Sequence, residues 1–273
     1  MKKLTNVLAL AMCLLMAVGM MASCGKGSDW AKVQEQGYFT CGVTVYEPMN
    51  YKDADGNWTG FDTEFAQAVA AELGVEVKFQ EIDWPSKYAE LNSGAIDLIW
   101  NGFTFGMESD GKSRTEYVDF TYSYLENRQV IVTKADRVSE LNTKEAFAGK
   151  QGVAEGGSSG EGVAIELAGD ENNVSTFDTQ AAALLELKAG TADFAVIDYQ
   201  MAKAMVGTGD YTDLAINEAY APEAEVYAIG ARKGSDFTAK VNDAIKTLSE
   251  NGKLAELAEK YGLTNDLIAD IGK

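Results

Sequence analysis

Histidine is missing from all 273 residues. Its absence removes the commonest general base and the commonest transition-metal ligand, so a histidine triad and a histidine-based zinc site are excluded. Cysteine is scarce too: Cys13 and Cys24 fall in or beside an N-terminal apolar run, leaving Cys41 alone in the body of the chain. An intramolecular disulfide is thereby excluded there, and stability must come from packing. Cys41 sits in the strand-like Tyr38-Phe39-Thr40-Cys41-Gly42-Val43, where a buried small hydrophobe is expected. No metal and no cofactor is expected. Basic residues are outnumbered, 23 Lys and Arg against 42 Asp and Glu, and the net charge of −19 argues against nucleic acid as a partner. The acids are scattered along the chain, as on a solvated surface.

No apolar run comfortably spans a bilayer; the longest, 7–21, is short and follows Lys2 and Lys3, the pattern of a signal peptide over 1–23. It ends in Met21-Ala22-Ser23-Cys24, which resembles the lipobox of bacterial lipoproteins. That resemblance makes Cys24 the lipidated first residue of the exported chain, followed by a tether over 24–35. The other reading is an ordinary secretory cleavage near Ala22. Both place the mature protein outside the cytoplasm.

The body of the chain alternates strand-like and helix-like patterns, an α/β arrangement. A helix is predicted over Phe61–Leu73, with Phe65, Ala68, Val69 and Leu73 on one face, Asp62 as N-cap and Gly74 as its stop. Val75, Val77 and Phe79 alternate like a strand, Pro85 suits the first turn of a second helix ending at Ser93-Gly94, and 95–100 reads as a buried parallel strand. The segment Leu91-Asn92-Ser93-Gly94-Ala95-Ile96-Asp97-Leu98-Ile99 matches Leu187-Lys188-Ala189-Gly190-Thr191-Ala192-Asp193-Phe194-Ala195 at an offset of 96 residues. One supersecondary unit used twice implies two similar lobes. The stretches 120–133 and 223–230 read as two crossings between them, with terminal helices over 236–250 and 253–261. The expected lobes are 36–127 with 225–273, and 128–224. Two adjacent hinge strands permit closure around a ligand.

Gly156-Gly157-Ser158-Ser159-Gly160, between a strand and a helix, offers free amides and hydroxyls to an anion, or serves simply as a loop with an N-cap. It lacks the Lys of a phosphate-binding loop. Arg114 follows a polar stretch and is either a surface arginine or an anion partner. Asp198 ends the apolar run Phe194-Ala195-Val196-Ile197, where open α/β sheets bind ligands, or it caps the next helix. Tyr46 and Trp84 suit either core packing or a stacking wall.

Gly60-Phe61-Asp62, Ser93-Gly94-Ala95-Ile96-Asp97, Val118-Asp119-Phe120-Thr121, Gly149-Lys150 with Gly157-Ser158-Ser159, and Asp193 to Asp198 come in the order of landmarks in a known family. The chain resembles the polar-amino-acid solute-binding proteins of ABC importers (extracellular solute-binding protein family 3), in their lipoprotein form. The resemblance implies the periplasmic-binding-protein-like II fold: two lobes, each a mixed, mostly parallel sheet flanked by helices, joined by two hinge strands. It places Arg114 on the ligand α-carboxylate with Ser158 and Ser159, and Asp198 on the α-ammonium. Asn101, Gly102 and Thr104 fall in the loop after the first lobe's third strand, and Tyr46 and Trp84 on the apolar walls. Three features depart from the pattern: a longer loop from Gly106 to Ser113 before Arg114, Val43 in place of a frequent second acid, and Ala154-Glu155 before the serine loop, where a glutamine is common.

The function so implied is capture of a free amino acid by a monomeric, membrane-anchored receptor and delivery to an ABC permease, without chemistry. The alternative is an enzyme on the same fold, such as a cyclohexadienyl or prephenate dehydratase, for which Glu47 and Glu155 are the acids to nominate. A sensory receptor is not expected, as no transmembrane helix or signalling domain follows Lys273. Lys87, near Trp84, reads as a solvated helix residue before a side-chain reader.

Overall fold

The computed structural model describes residues 28–109 and 112–272. The expected signal peptide, Cys13 and Cys24 lie outside the described residues. Among those residues no helix is long and apolar enough to cross a membrane.

Two sheets carry the chain. The first has the order Glu76–Glu81, Tyr38–Val43, Leu98–Ile99, Gly230–Arg232, Val118–Phe120, with the first three strands parallel and Gly230–Arg232 antiparallel to both its neighbours. The second has the order Val174–Phe177, Gly152–Glu155, Phe194–Asp198, Leu125–Lys134, Leu214–Asn217. Again three parallel strands are followed by an antiparallel one. In each sheet that antiparallel fourth strand has crossed over from the other lobe. Between the sheets, Ala224–Tyr227 pairs with the first half of Leu125–Lys134, from Ala224↔Arg128 to Tyr227↔Leu125. These are the two adjacent crossings.

The internal repeat is visible atom by atom. Gly94 and Gly190 end their helices in the left-handed conformation, at φ 81° and 82°, and each turns its N–H onto the carbonyls of the last turn. Glycine takes that conformation without strain, so the helix stops and the chain enters its strand. Asp97 and Asp193 then accept the backbone N–H of Thr40 and Gln151, at 3.0 and 2.9 Å, beside the first strand of each lobe. Arg232 and Arg137 complete the two carboxylates.

The first lobe's core gathers aromatic rings: Phe65 lies edge-on to Trp100 at 5.0 Å and to Tyr124 at 5.4 Å. Cys41 is fully buried there. Phe237, Val241, Ile245 and Leu248 form the buried stripe of the helix Phe237–Glu250, which is followed by Lys253–Lys260. The stretch assigned to a tether differs from expectation, because a helix, Asp29–Gln36, begins inside it. Ser28 caps this helix, Val33 is buried, and Trp30 stacks on Phe237 at 5.7 Å, fastening it to the first lobe.

Asp62 also differs. The amides of Phe61 and Asp62, at the start of the helix Phe61–Leu73, donate to the carbonyls of Pro48 (2.9 Å) and Met49 (3.0 Å), so no side-chain cap is needed. Gly60, at φ 114°, permits that approach: a Cβ there would lie 2.3 Å from the Met49 oxygen. The Asp62 carboxylate is instead buried, accepting the Gly102 N–H at 2.7 Å and the Tyr124 hydroxyl at 2.8 Å. Burial pushes its carboxyl up to about 6.

Candidate functional site

All the expected site residues except Tyr46 line one cavity between the lobes: Trp84, Asn101, Gly102, Thr104, Arg114, Ser158, Ser159 and Asp198, joined by Glu155 and Gln180. The cavity has a volume of about 260 Å³, and bonds from Arg114 and Lys87 to the Gly157 carbonyl and from Ser159 to Thr104 join the lobes around it.

Arg114 reaches this cavity because the longer loop folds back on itself. Glu108–Ser109 pairs with Lys112–Ser113, and the Arg114 N–H donates to the Met107 carbonyl at 2.8 Å. The guanidinium is 1% exposed, lies 4.7 Å over the Phe103 ring, and donates to the carbonyls of Thr104 (3.2 Å) and Gly157 (3.3 Å). Its Nε has no partner. Burial pulls the group below the usual arginine range, yet it remains a cation. A planar cation with free hydrogen-bonding capacity in a closed cavity suits a carboxylate.

The serine turn connects the strand Gly152–Glu155 to the helix Ser159–Ala168, so Ser158 and Ser159 bring that helix's N-terminal end to the cavity lining. Ser158 caps that helix, its hydroxyl accepting from the Glu161 N–H at 3.2 Å, and the Ser159 hydroxyl donates to Thr104 Oγ1 across the cleft at 3.3 Å. Gly160 lets the helix lie against its own sheet, since a Cβ there would meet the Val196 carbonyl at 2.7 Å. An N-terminal helix end so placed favours negative charge.

Asp198 stands before the helix Tyr199–Met205 but makes no capping bond to it. Its carboxylate accepts the side-chain amides of Asn127 (2.6 Å), Gln129 (2.7 Å) and Gln180. Asn127 and Gln129 also donate to Glu225, at 3.2 and 3.1 Å. Burial raises both carboxyls, and for Glu225 the Asp198 charge adds to it. Glu155, 4% exposed, is pushed up to about 8, first by burial and then by Asp198. Acids of this kind suit a cationic group entering the cavity.

The loop Asn101–Thr104 is held from behind. The Asn101 side chain is spent internally, bonding Thr44 N, Oγ1 and carbonyl and the Asn50 oxygen. What Asn101 presents to the cavity is therefore backbone. Gly102 has φ 58°, and a Cβ on it would lie 2.6 Å from Tyr46 Cε1. Tyr46 is thus not a cavity wall; it packs behind Gly102 with its hydroxyl 2.6 Å from that of Tyr227. Trp84 does form a wall, edge-on to Phe103 at 5.6 Å.

Lys87 corrects the sequence reading, being buried at 1% exposure. Its ammonium donates to the carbonyls of Trp84 (3.0 Å) and Gly157 (3.2 Å) and lies 4.8 Å from the Trp84 ring. Glu47, nominated as an enzymatic acid, is exposed and lines no part of the cavity. Gln180, Asn127, Gln129 and Glu225 were not anticipated. Their only advance sign is the alternation of Asn127 and Gln129 along the crossing strand Leu125–Lys134, whose other buried positions are Leu125, Val130, Ile131, Val132 and Thr133.

Residues 39–264 match the bacterial extracellular solute-binding proteins, family 3. The chain is 32% identical to the arginine-binding extracellular protein ArtP of Bacillus subtilis, over 93% of this chain and 96% of that one. It is 28% identical to the L-cystine-binding protein TcyA of the same organism, over 92% and 96%. Among solved structures, the substrate-binding protein of an ABC uptake transporter from Streptococcus pneumoniae with bound histidine superposes with a TM-score of 0.73 at 32% identity, covering 86% of this chain and 96% of that one. These are binding proteins, not enzymes.

Proposed function

This chain belongs to family 3 of the bacterial extracellular solute-binding proteins, and from that premise we propose that it captures a free amino acid between its lobes and delivers it to an ABC permease. The observation that carries the reading is the cavity itself, whose lining brings together the Arg114 cation, the serine turn and the Asp198 carboxylate. A zwitterion fits that set of groups, with its carboxylate on Arg114 and the helix N-terminus and its ammonium on Asp198. Arg114 belongs to the first lobe and the serine turn and Asp198 to the second, so the ligand completes its contacts only when the lobes close. Those differential contacts drive closure. The moving bodies are 36–127 with 225–273, and 128–224. The protein acts outside the cytoplasm as a monomer, tethered by lipid on Cys24 after removal of 1–23, which keeps the closed form near its permease.

The test is a thermal-shift panel of free amino acids with purified protein. A ligand at one hundred times its Kd adds about 2.7 kcal/mol, which for a chain of this size raises Tm by roughly 5–10 °C. Stabilisation by one or a few amino acids, with the ligand recovered intact, supports the reading. No stabilisation by any of them, or turnover of prephenate, overturns it.

A further inference from the structure

Resting on the amino-acid reading above, we propose that Lys87 is an interlobe clasp, a positioning residue outside the ligand cavity that holds the lobes closed and tightens the binding of every ligand alike. Lys87 opens the short helix Lys87–Ser93 of the first lobe, directly after the turn Trp84–Ser86. It is buried at 1% exposure, yet it does not line the ligand cavity. It lines instead an outer groove between the lobes, with Pro85 and Met107 on its own side and Gly157 and Glu161 on the other.

The partners of the Lys87 ammonium fall into two sets. The Trp84 carbonyl and the rings of Trp84 and Tyr88, 4.8 and 4.9 Å away, belong to its own lobe and stay with it whether the lobes are open or shut. The Gly157 carbonyl, at 3.2 Å, belongs to the second lobe. So does Glu155, whose carboxyl is raised by burial and by the Asp198 charge, against which the Lys87 and Arg114 charges act. Lys87 meets this second set only when the lobes come together, and contacts made in one state alone are what shift the equilibrium toward it. The acceptor is prepared for a close approach. Gly157 takes φ 69°, its N–H donates to Glu161 Oε2 at 2.7 Å, and a Cβ on it would lie 3.4 Å from the Lys87 nitrogen. Arg114 donates to the same carbonyl, but a ligand carboxylate claims Arg114, after which Lys87 remains to hold the turn. Because Lys87 joins the lobes without lining the cavity, its contribution does not depend on which side chain the ligand carries. The competing arrangement is a cation whose loss of water on closure outweighs these contacts, so that Lys87 resists closure.

Lys87→Met separates the two, since it keeps the apolar stem and removes the ammonium. Wild type and variant are titrated calorimetrically with the standard L-amino acids and L-cystine, and each ligand that wild type binds is followed by stopped flow. The variant is expected to bind about tenfold more weakly, equivalent to roughly 1.4 kcal/mol, and by the same factor to within about threefold for each ligand. The loss is expected in koff, with kon within about threefold of wild type, because the clasp forms after the ligand has entered. Lys87→Gln keeps a donor for the Gly157 carbonyl without the charge, and is expected to give a smaller loss that is equally uniform; it decides the matter where Lys87→Met does not fold. Unchanged or tighter binding overturns the proposal in favour of a cation that resists closure. A loss confined to some ligands overturns it too, making Lys87 a side-chain contact, as does a loss carried by kon alone. Wild-type protein that binds no amino acid sinks the amino-acid reading itself, whereas wild type that binds beside an equally tight Lys87→Met sinks only the clasp.

Discussion

Replacing Arg114 with alanine should abolish most ligand affinity while leaving the fold intact. The guanidinium is buried, its Nε is unpartnered, and its two terminal nitrogens rest on the neutral carbonyls of Thr104 and Gly157. An entering carboxylate exchanges those contacts for two charge-assisted bonds of about 1.5–3 kcal/mol each, a gross gain of roughly 3–6 kcal/mol. Surrendering two carbonyl bonds of about 1 kcal/mol each lowers the net to roughly 1–4 kcal/mol. Removal of the side chain also leaves the ligand carboxylate buried without its partner, which moves the expected loss to the upper end, about a hundredfold to a thousandfold in Kd. Arg114→Lys keeps the charge and loses the planar fork, so an intermediate loss of about tenfold is expected. Isothermal titration with the amino acid found by thermal shift measures both, and Tm without ligand controls for folding. A folded Arg114→Ala protein binding within about threefold of wild type refutes the reasoning and removes Arg114 from the site.

Asp198→Asn should weaken binding by at least about a hundredfold, since it removes the ammonium's partner. The unliganded variant loses a buried charge but sets an amide NH2 against the donors of Asn127, Gln129 or Gln180, so its Tm serves as the folding control; calorimetry and thermal shift read both, and normal affinity would contradict the assignment. Asp62 is expected to leave a pH signature. Its folded carboxyl is raised to about 6 from an ordinary 3.8, so the folded state holds the proton more tightly and stability falls as pH rises through that window, by up to about 3 kcal/mol. Urea midpoints of wild type and Asp62→Asn at pH 4 and pH 7 read this directly, and a wild-type-to-variant difference that does not change with pH contradicts it. Gly102→Ala places a Cβ 2.6 Å from Tyr46 Cε1 at a positive φ, which should cost about 1–3 kcal/mol of stability and weaken binding together. Unchanged Tm and Kd would show that the loop yields without consequence.

Much of the fold was legible because its signals are local. The glycines Gly94 and Gly190, the buried strands after them and the aspartates Asp97 and Asp193 repeat a joint whose chemistry is complete within a few residues. Asp62 was misread because an acid beside a helix start looks like a cap; carbonyls from Pro48 and Met49, brought in by Gly60, had already taken those amides. Lys87 was misread for a related reason. A lysine on a short helix gives no hint that the Gly157 carbonyl, seventy positions away in the other lobe, will receive it. The long loop before Arg114 hid its own solution, a hairpin that returns the arginine beside Met107 and Thr104. Asn127, Gln129 and Glu225 belong to the site through strand register across the crossing, a property of pairing that the sequence expresses only as alternation.

The decisive experiment is a crystal structure of the protein with the amino acid that stabilises it most. The ligand is expected in the cavity between the lobes, its carboxylate on Arg114 and the amide end of Ser159–Ala168, its ammonium on Asp198. A ligand lodged elsewhere, or one in this cavity whose carboxylate turns away from Arg114, would contradict the proposed capture of a zwitterion by closure.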